Sequence, residues 1–219
     1  TKIIPMAKGI TEEVKKAVIG KDEIVIKTLL AIIAGGHILL DDIPGVGKTT
    51  LALAFSKAMS LDYKRMQFTP DVLPADVTGF TVYNKRTDSF DYKPGAALCS
   101  LFLADEINRT SSKTQSALLE AMEEGSVTVD GCTHPLPKPF IVIATQNPIG
   151  SVGTQMLPES QLDRFIVRLT MGYPDLDSEI AILKSKGTSK SADSISPAAN
   201  ANDVLMLISA AEEVFIDDR

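Results

Sequence analysis

Tryptophan is absent from these 219 residues, and cysteine occurs only twice, at Cys99 and Cys132. Two isolated cysteines cannot build a disulfide scaffold, and neither has a Cys or His neighbour at zinc-site spacing. Both are expected to be free, buried thiols in a reducing cytoplasm. No long apolar run is present either. The most apolar stretch, Ile24 to Ile33, contains Lys27 and Thr28 and gives way to Gly35-Gly36-His37. A bilayer span needs about 20 apolar residues, so this segment is expected to be a buried helix and no membrane partner is implied. No succession of basic, apolar and small residues opens the chain. It starts on Thr1, as a piece of a longer protein would.

A surplus of positive charge is also missing. With 22 Lys+Arg against 28 Asp+Glu the formal net charge is -6, which repels nucleic-acid phosphates. No nucleic-acid partner is expected. What remains is ordinary for a folded soluble chain: 44% hydrophobic and 23% charged residues, enough length to bury a real core.

The hydrophobic pattern alternates helices with short apolar strands. Thr11, followed by Glu12 and Glu13, predicts a helix N-cap ahead of Val14, Ala17 and Val18, with Gly20 as the stop. A second helix is predicted from Asp22 to Ala34 and a strand from His37 to Leu40. A helix from Thr49 to Met59 follows. Further strands are predicted at Lys64 to Phe68, Ser100 to Ala104, Phe140 to Ala144 and Phe165 to Leu169. Five apolar strands separated by helices imply a mostly parallel sheet covered on both faces. Hairpins are predicted at Phe80 to Tyr92 and at Val127 to His134, the second around Asp130-Gly131. A helix from Ser112 to Glu124 shows a capping-box pattern, Ser112 with Gln115. From Gly187 to Ala201 the composition turns to Ser, Asn, Ala and Pro, a linker, before a helix from Asp203 to Val214 capped by Asn202. That last helix either docks on the main domain or opens a second one. The division expected is residues 1–186 for the core and 187–219 for the linker and the start of a truncated helical lid.

The chemistry concentrates at strand ends. Pro44-Gly45-Val46-Gly47-Lys48-Thr49 joins the first apolar strand to a helix, the order a phosphate cradle needs. Glycines let successive N–H groups face phosphate oxygens, and the helix adds its positive N-terminus. Lys48 would reach the terminal phosphates, Thr49 would offer a hydroxyl to Mg²⁺ and Thr50 would touch an inner phosphate. Asp42 stands where the usual pattern begins with Gly. The plainer reading is a Gly/Pro turn between strand and helix, which leaves Lys48-Thr49-Thr50 unexplained.

Leu101 to Ala104 leads into Asp105-Glu106, two carboxylates at a strand's C-terminal end, where open α/β sheets bind ligands. Asp105 would hold Mg²⁺ through its water shell and Glu106 would orient or deprotonate the attacking water. A third strand, Ile141 to Ala144, leads through Thr145 and Gln146 into Asn147, whose amide can bond water near a γ-phosphate. Alternatively, Asn147 is a turn residue before Pro148. No Asn-Lys-x-Asp segment of the guanine-reading kind occurs, which favours ATP over GTP.

Five segments together resemble the MoxR family of AAA+ ATPases: GGHILL-DDIPGVGKTTLA, QFTPDVLPADVTGF, LFLADEINRTSSKTQSALLEAMEEGSVTVDG, IVIATQNP and LPESQLDRF, from about residue 18 to 174. The resemblance implies an α/β fold, a P-loop NTPase αβα sandwich in three layers. Its five-stranded sheet would follow the order 5-1-4-3-2, with inserted β-hairpins. It implies ATP and Mg²⁺ as cofactors and assembly into a homo-oligomeric ring, a hexamer, in which neighbours complete each site. Asn147 resembles the first sensor. Arg164, held by Asp163, resembles the arginine finger that reaches a neighbour's γ-phosphate; Arg109 is a second candidate, with a surface salt bridge as its alternative. Ile19 within Val18-Ile19-Gly20 resembles the adenine pocket, though a plain helix end explains those residues equally well. The second-sensor arginine of the family's lid is not reached before Arg219. A remodelling or chaperone ATPase is the implied function, working on client proteins, beside a von Willebrand factor A domain protein in the family pattern. A DNA-acting AAA+ motor and a nucleotide-binding scaffold without hydrolysis are the alternatives.

Overall fold

Near-continuous apolar runs make strands here because a sheet covered on both faces buries every side chain, odd and even positions alike. The computed structural model describes residues 2–147, 156–186 and 194–214. Helices α1 (Ile3–Ala17) and α2 (Asp22–Ile33) precede strand β1 (His37–Asp41), and α3 (Lys48–Ala58) follows it. Then come β2 (Tyr63–Gln67), a short α4 (Pro74–Thr78), and the antiparallel pair β3 (Gly79–Asn84) and β4 (Ser89–Pro94). Strand β5 (Leu101–Asp105) and helix α5 (Ser112–Glu124) lead to a second hairpin, β6 (Ser126–Val129) and β7 (Cys132–Pro135). The remaining elements are β8 (Ile141–Gln146), α6 (Glu159–Leu162), β9 (Phe165–Leu169), α7 (Leu176–Lys186) and α8 (Ala201–Glu212).

The five-stranded sheet runs β2-β5-β8-β1-β9, with every pairing parallel. Counted from the β9 edge, this is the expected 5-1-4-3-2 order. Side chains alternate between two cores. Ile38, Leu40, Leu101, Leu103, Ile141 and Ile143 pack with α1, α2, α3 and α8, whereas Leu39, Phe102, Ala104, Val142 and Ala144 pack with α5 and Phe68. Burying one such large side chain stabilises the fold by about 1.5–3 kcal/mol, which fixes the strand ends where the candidate site residues stand.

The chain after α7 returns to this core. The N–H groups of Ala198 and Ala199 both donate to the Ala58 carbonyl, at 2.8 and 3.1 Å, and Val204 and Leu207 of α8 are buried beside α1 and α2. Helix α8 is thus docked against α1 and α2. The two hairpins meet each other: Tyr92 stacks on His134 with ring centroids 3.6 Å apart, and the Thr81 hydroxyl donates to Asp130.

Several local expectations are corrected. Thr11 is not an N-cap: α1 begins eight residues earlier, at Ile3, and the Thr11 hydroxyl donates back to the Ala7 carbonyl at 2.9 Å within the helix. Helix α5 is capped by Ser111, not Ser112, because Ser111 has the extended backbone that lets its Oγ accept the Thr114 N–H. Asn200 rather than Asn202 caps α8; its side chain accepts from Asn202 and Asp203, and Asp203 returns a bond to the Asn200 N–H. Helix α2 is amphipathic rather than buried, with Ile26 44% and Leu30 59% exposed. Cys99 is buried and its thiol is pushed up to about 12, mainly by burial, but Cys132 is exposed on the β6–β7 hairpin. Part of the linker expected from Gly187 and the terminal Arg219 lie outside the described residues.

Candidate functional site

Strand β1 delivers the chain to a loop that only glycine can turn. Gly45 has φ +87° and Gly47 has φ +99°, values L side chains rarely adopt, and α3 begins directly afterwards at Lys48. The first N–H groups of a helix have no partner within the helix, and the residues at this start, Lys48, Thr49 and Thr50, line a cavity. Lys48 is only 7% exposed, and its ammonium donates to the Asp42 carbonyl at 2.7 Å. Burial lowers its pKa below the ordinary lysine value, while Asp105, Asp42, Glu106 and Asp41 oppose that shift.

Asp42, the residue in place of the usual glycine, has a structural task. Its carboxylate accepts the Ile43 N–H at 2.8 Å and the Gly172 N–H at 2.6 Å, so it clamps the loop to the chain after β9. The clamp is buried, with Asp42 5% exposed.

The acidic pair comes from β5, two strands away. Asp105 ends the strand, and its Oδ1 accepts the Thr145 hydroxyl at 2.6 Å. The same hydroxyl accepts the Glu106 N–H at 2.8 Å, which holds Glu106 at φ +56°, a left-handed conformation costly for a non-glycine residue. Each carboxylate has an arginine partner: Arg65 with Asp105 at 2.7 Å and Arg109 with Glu106 at 2.8 Å. Arg109 thus makes the salt bridge named as its alternative.

Asn147 follows β8. Its backbone is gripped by the amide of Asn108, which donates to the Asn147 carbonyl at 3.0 Å and accepts its N–H at 3.3 Å. Asn108 is fully buried. Pro148, the basis of the turn alternative, lies outside the described residues. Arg164 stands apart from the loop, between α6 and β9, where it pairs with Glu123 of α5 at 2.6 Å. Asp163, expected to hold it, is exposed, and the ion pair observed is with Glu123 of α5, whose Leu119 and Met122 share a hydrophobic cluster with Phe165 at the start of β9.

Two cavities meet at the loop. One, about 350 Å³, has Pro44, Gly45, Gly47, Lys48, Thr49 and Thr50 on one wall and Asp105, Glu106, Arg65 and Gln67 on the other. The second, about 420 Å³, shares Gly45, Gly47 and Thr50, and is otherwise lined by side chains including Val18, Ile19, Val46, Met171 and Tyr173. A polar compartment with hard oxygen donors joined to a mostly apolar one suits a magnesium-bound polyphosphate attached to a flat base. An added Cβ at Gly45 would meet no atom within 4 Å, so no side chain packs against the loop at that point.

Arg65, Gln67, Asn108 and Thr145 were not singled out from sequence. Arg65 and Gln67 sit on a polar strand, Tyr63-Lys64-Arg65-Met66-Gln67, at the edge of the sheet, where charged and amide side chains are ordinary, which masks their approach to Asp105. Thr145 is the polar interruption at the end of an otherwise apolar strand, the one available hint.

The family model described as "ATPase family associated with various cellular activities (AAA)" matches residues 37–167. The chain is 49% identical over 214 residues to the uncharacterized protein YeaC of Bacillus subtilis, covering 98% of this chain and 67% of that one. It is 42% identical over 175 residues to chaperone MoxR1 of Mycobacterium tuberculosis, covering 80% of this chain and 46% of that one. A crystal structure from Cytophaga hutchinsonii, of a protein assigned as an ATPase, superposes with a TM-score of 0.86 at 38% identity, over 99% of this chain and 67% of that one. The chain therefore spans between about half and two thirds of the length of these relatives.

Proposed function

The chain belongs to the MoxR family of AAA+ ATPases, and from that premise we propose that it binds ATP with magnesium between Gly45–Thr50 and the Asp105-Glu106 pair, hydrolyses it, and uses the cycle to remodel client proteins. The observation carrying this reading is the single cavity shared by the glycine loop and the two carboxylates. Loop N–H groups and Lys48 would bind the phosphates, with Pro44, Val46 and Thr50 shaping the cradle and Ile19 lying against the base. Thr49 and Asp105 would hold the magnesium ion, which supplies charge neutralisation for the phosphates. Glu106 would take the proton of the attacking water, and Asn147 would orient that water.

Arg164 does not line this chain's own cavity, and we assign it the finger role toward a neighbour's site in a homo-oligomer, six subunits by family pattern. Client proteins belong to this proposal and are suggested by the chaperone name of the mycobacterial relative, whereas a von Willebrand factor A domain partner belongs to it by the family resemblance alone. Among the described residues no helix is long and apolar enough to cross a membrane.

Phosphate release from ATP tests the reading. Turnover by the unaltered protein, with Glu106→Gln retaining ATP binding but losing hydrolysis, is the expected result. Absence of turnover in the full-length ring would overturn the enzymatic part.

A further inference from the structure

Four carboxylates act on the Lys48 ammonium, and each has its own partner. Asp41 is paired with Arg168, Glu106 with Arg109 and Asp105 with Arg65, while Asp42 takes two backbone N–H groups. Of these arginines only Arg65 itself lines the 350 Å³ cavity.

Strand geometry explains its position. Arg65 and Gln67 point to the same face of β2, the face toward α3, and β2 pairs with β5 so that Arg65 lies opposite Leu103 and Gln67 opposite Asp105. Asp105 is left with no idle oxygen: Oδ1 takes the Thr145 hydroxyl and Oδ2 takes the Arg65 guanidinium, at 2.6 and 2.7 Å. The Asp105 side chain is 11% exposed, whereas Arg65 is 46% exposed and reaches it from the cavity mouth.

We infer that Arg65 is a positioning residue that competes with a divalent cation for Asp105 Oδ2, so that cation entry releases the guanidinium into the cavity. This rests on the ATP-site reading above. A cation approaching Oδ2 must displace a charge-assisted hydrogen bond already formed. Arginine suits the exchange, because its five donors in a planar fork can leave one oxygen acceptor and meet another. Until then Arg65 keeps Asp105 neutralised beside Glu106, which limits repulsion between adjacent acids.

Manganese serves as the probe. Free Mn²⁺ is followed by electron paramagnetic resonance during titration of the ADP-loaded full-length protein, with ADP binding measured separately by calorimetry. Arg65→Gln is expected to bind Mn²⁺ about fivefold more tightly, the scale of a half-exposed charge pair removed as competitor. Arg109→Gln makes the same charge change one carboxylate away and is expected to shift Mn²⁺ affinity less than twofold, about the smallest effect such a pair has. Unchanged Mn²⁺ affinity in Arg65→Gln, or an equal rise in both variants, overturns the role of Arg65 while leaving the ATP site standing. Failure of the unaltered protein to bind ADP at all overturns both.

Discussion

The Asp42 carboxylate accepts the Gly172 N–H at 2.6 Å across 130 positions of sequence, tying the start of the phosphate loop to the segment that carries Met171 and Tyr173. The polar and apolar cavities are held in register by this contact, so a residue that departs from the usual loop pattern serves to join its two halves.

Replacing Asp42 with Ala leaves the half-buried N–H groups of Ile43 and Gly172 without their acceptor. The expected cost is about 1–3 kcal/mol, seen as a lower urea midpoint, with Asp42→Asn losing less because it keeps one acceptor oxygen. Equal midpoints for the Ala variant and the unaltered chain would remove the clamp from the account.

Thr145 is the hinge pin between the two acids. Thr145→Val keeps the shape but removes both the donor to Asp105 and the acceptor for the Glu106 N–H. Stability is expected to fall by about 1–3 kcal/mol, and turnover to fall with it, since Glu106 then loses the bond that holds its left-handed backbone. Stability is read by thermal unfolding and turnover by phosphate release.

Arg164→Ala is expected to lower turnover of the assembled full-length protein by about 10³–10⁵, the scale of an arginine finger, with little change in ATP affinity. Because Arg164 pairs with Glu123 in this chain, Glu123→Ala should leave turnover intact or raise it. Normal turnover in Arg164→Ala assigns the neighbour's cation elsewhere.

His37 makes stability depend on pH. Its Nδ1 accepts the Val142 N–H at 3.1 Å, so the ring is neutral with Nε2 facing the Met122 carbonyl at 3.2 Å. Burial pulls its pKa below the ordinary 6.5, more strongly than the Met122 carbonyl raises it. A lowered folded-state pKa means the unfolded chain takes up the proton first. The stability is present above about 6.5 and is lost as pH falls through the folded value. Melting temperature measured between pH 7.5 and 5 should fall more steeply for the unaltered chain than for His37→Gln.

Much of this was legible in the sequence because apolar runs and glycine turns act locally. The five strands, both hairpins and the loop before α3 follow from residues that are neighbours in the chain. Caps were harder: Ser111 and Ser112, or Asn200 and Asn202, differ only by backbone angles that neighbouring packing decides. Contacts between distant segments were not legible at all. Nothing local tells that Asp42 meets Gly172, that Arg65 meets Asp105, or that Glu123 rather than Asp163 holds Arg164.

The central claim is that Gly45–Thr50 and Asp105-Glu106 enclose a triphosphate with Lys48 as its main cation. Isothermal titration calorimetry with ATP and Mg²⁺, on the unaltered protein and on Lys48→Ala, measures it directly. The account predicts saturable binding to the first and a loss of about 2–5 kcal/mol of binding free energy in the second, the cost of truncating one side of a buried charge pair. Equal affinity in both, or no binding by either, would contradict it.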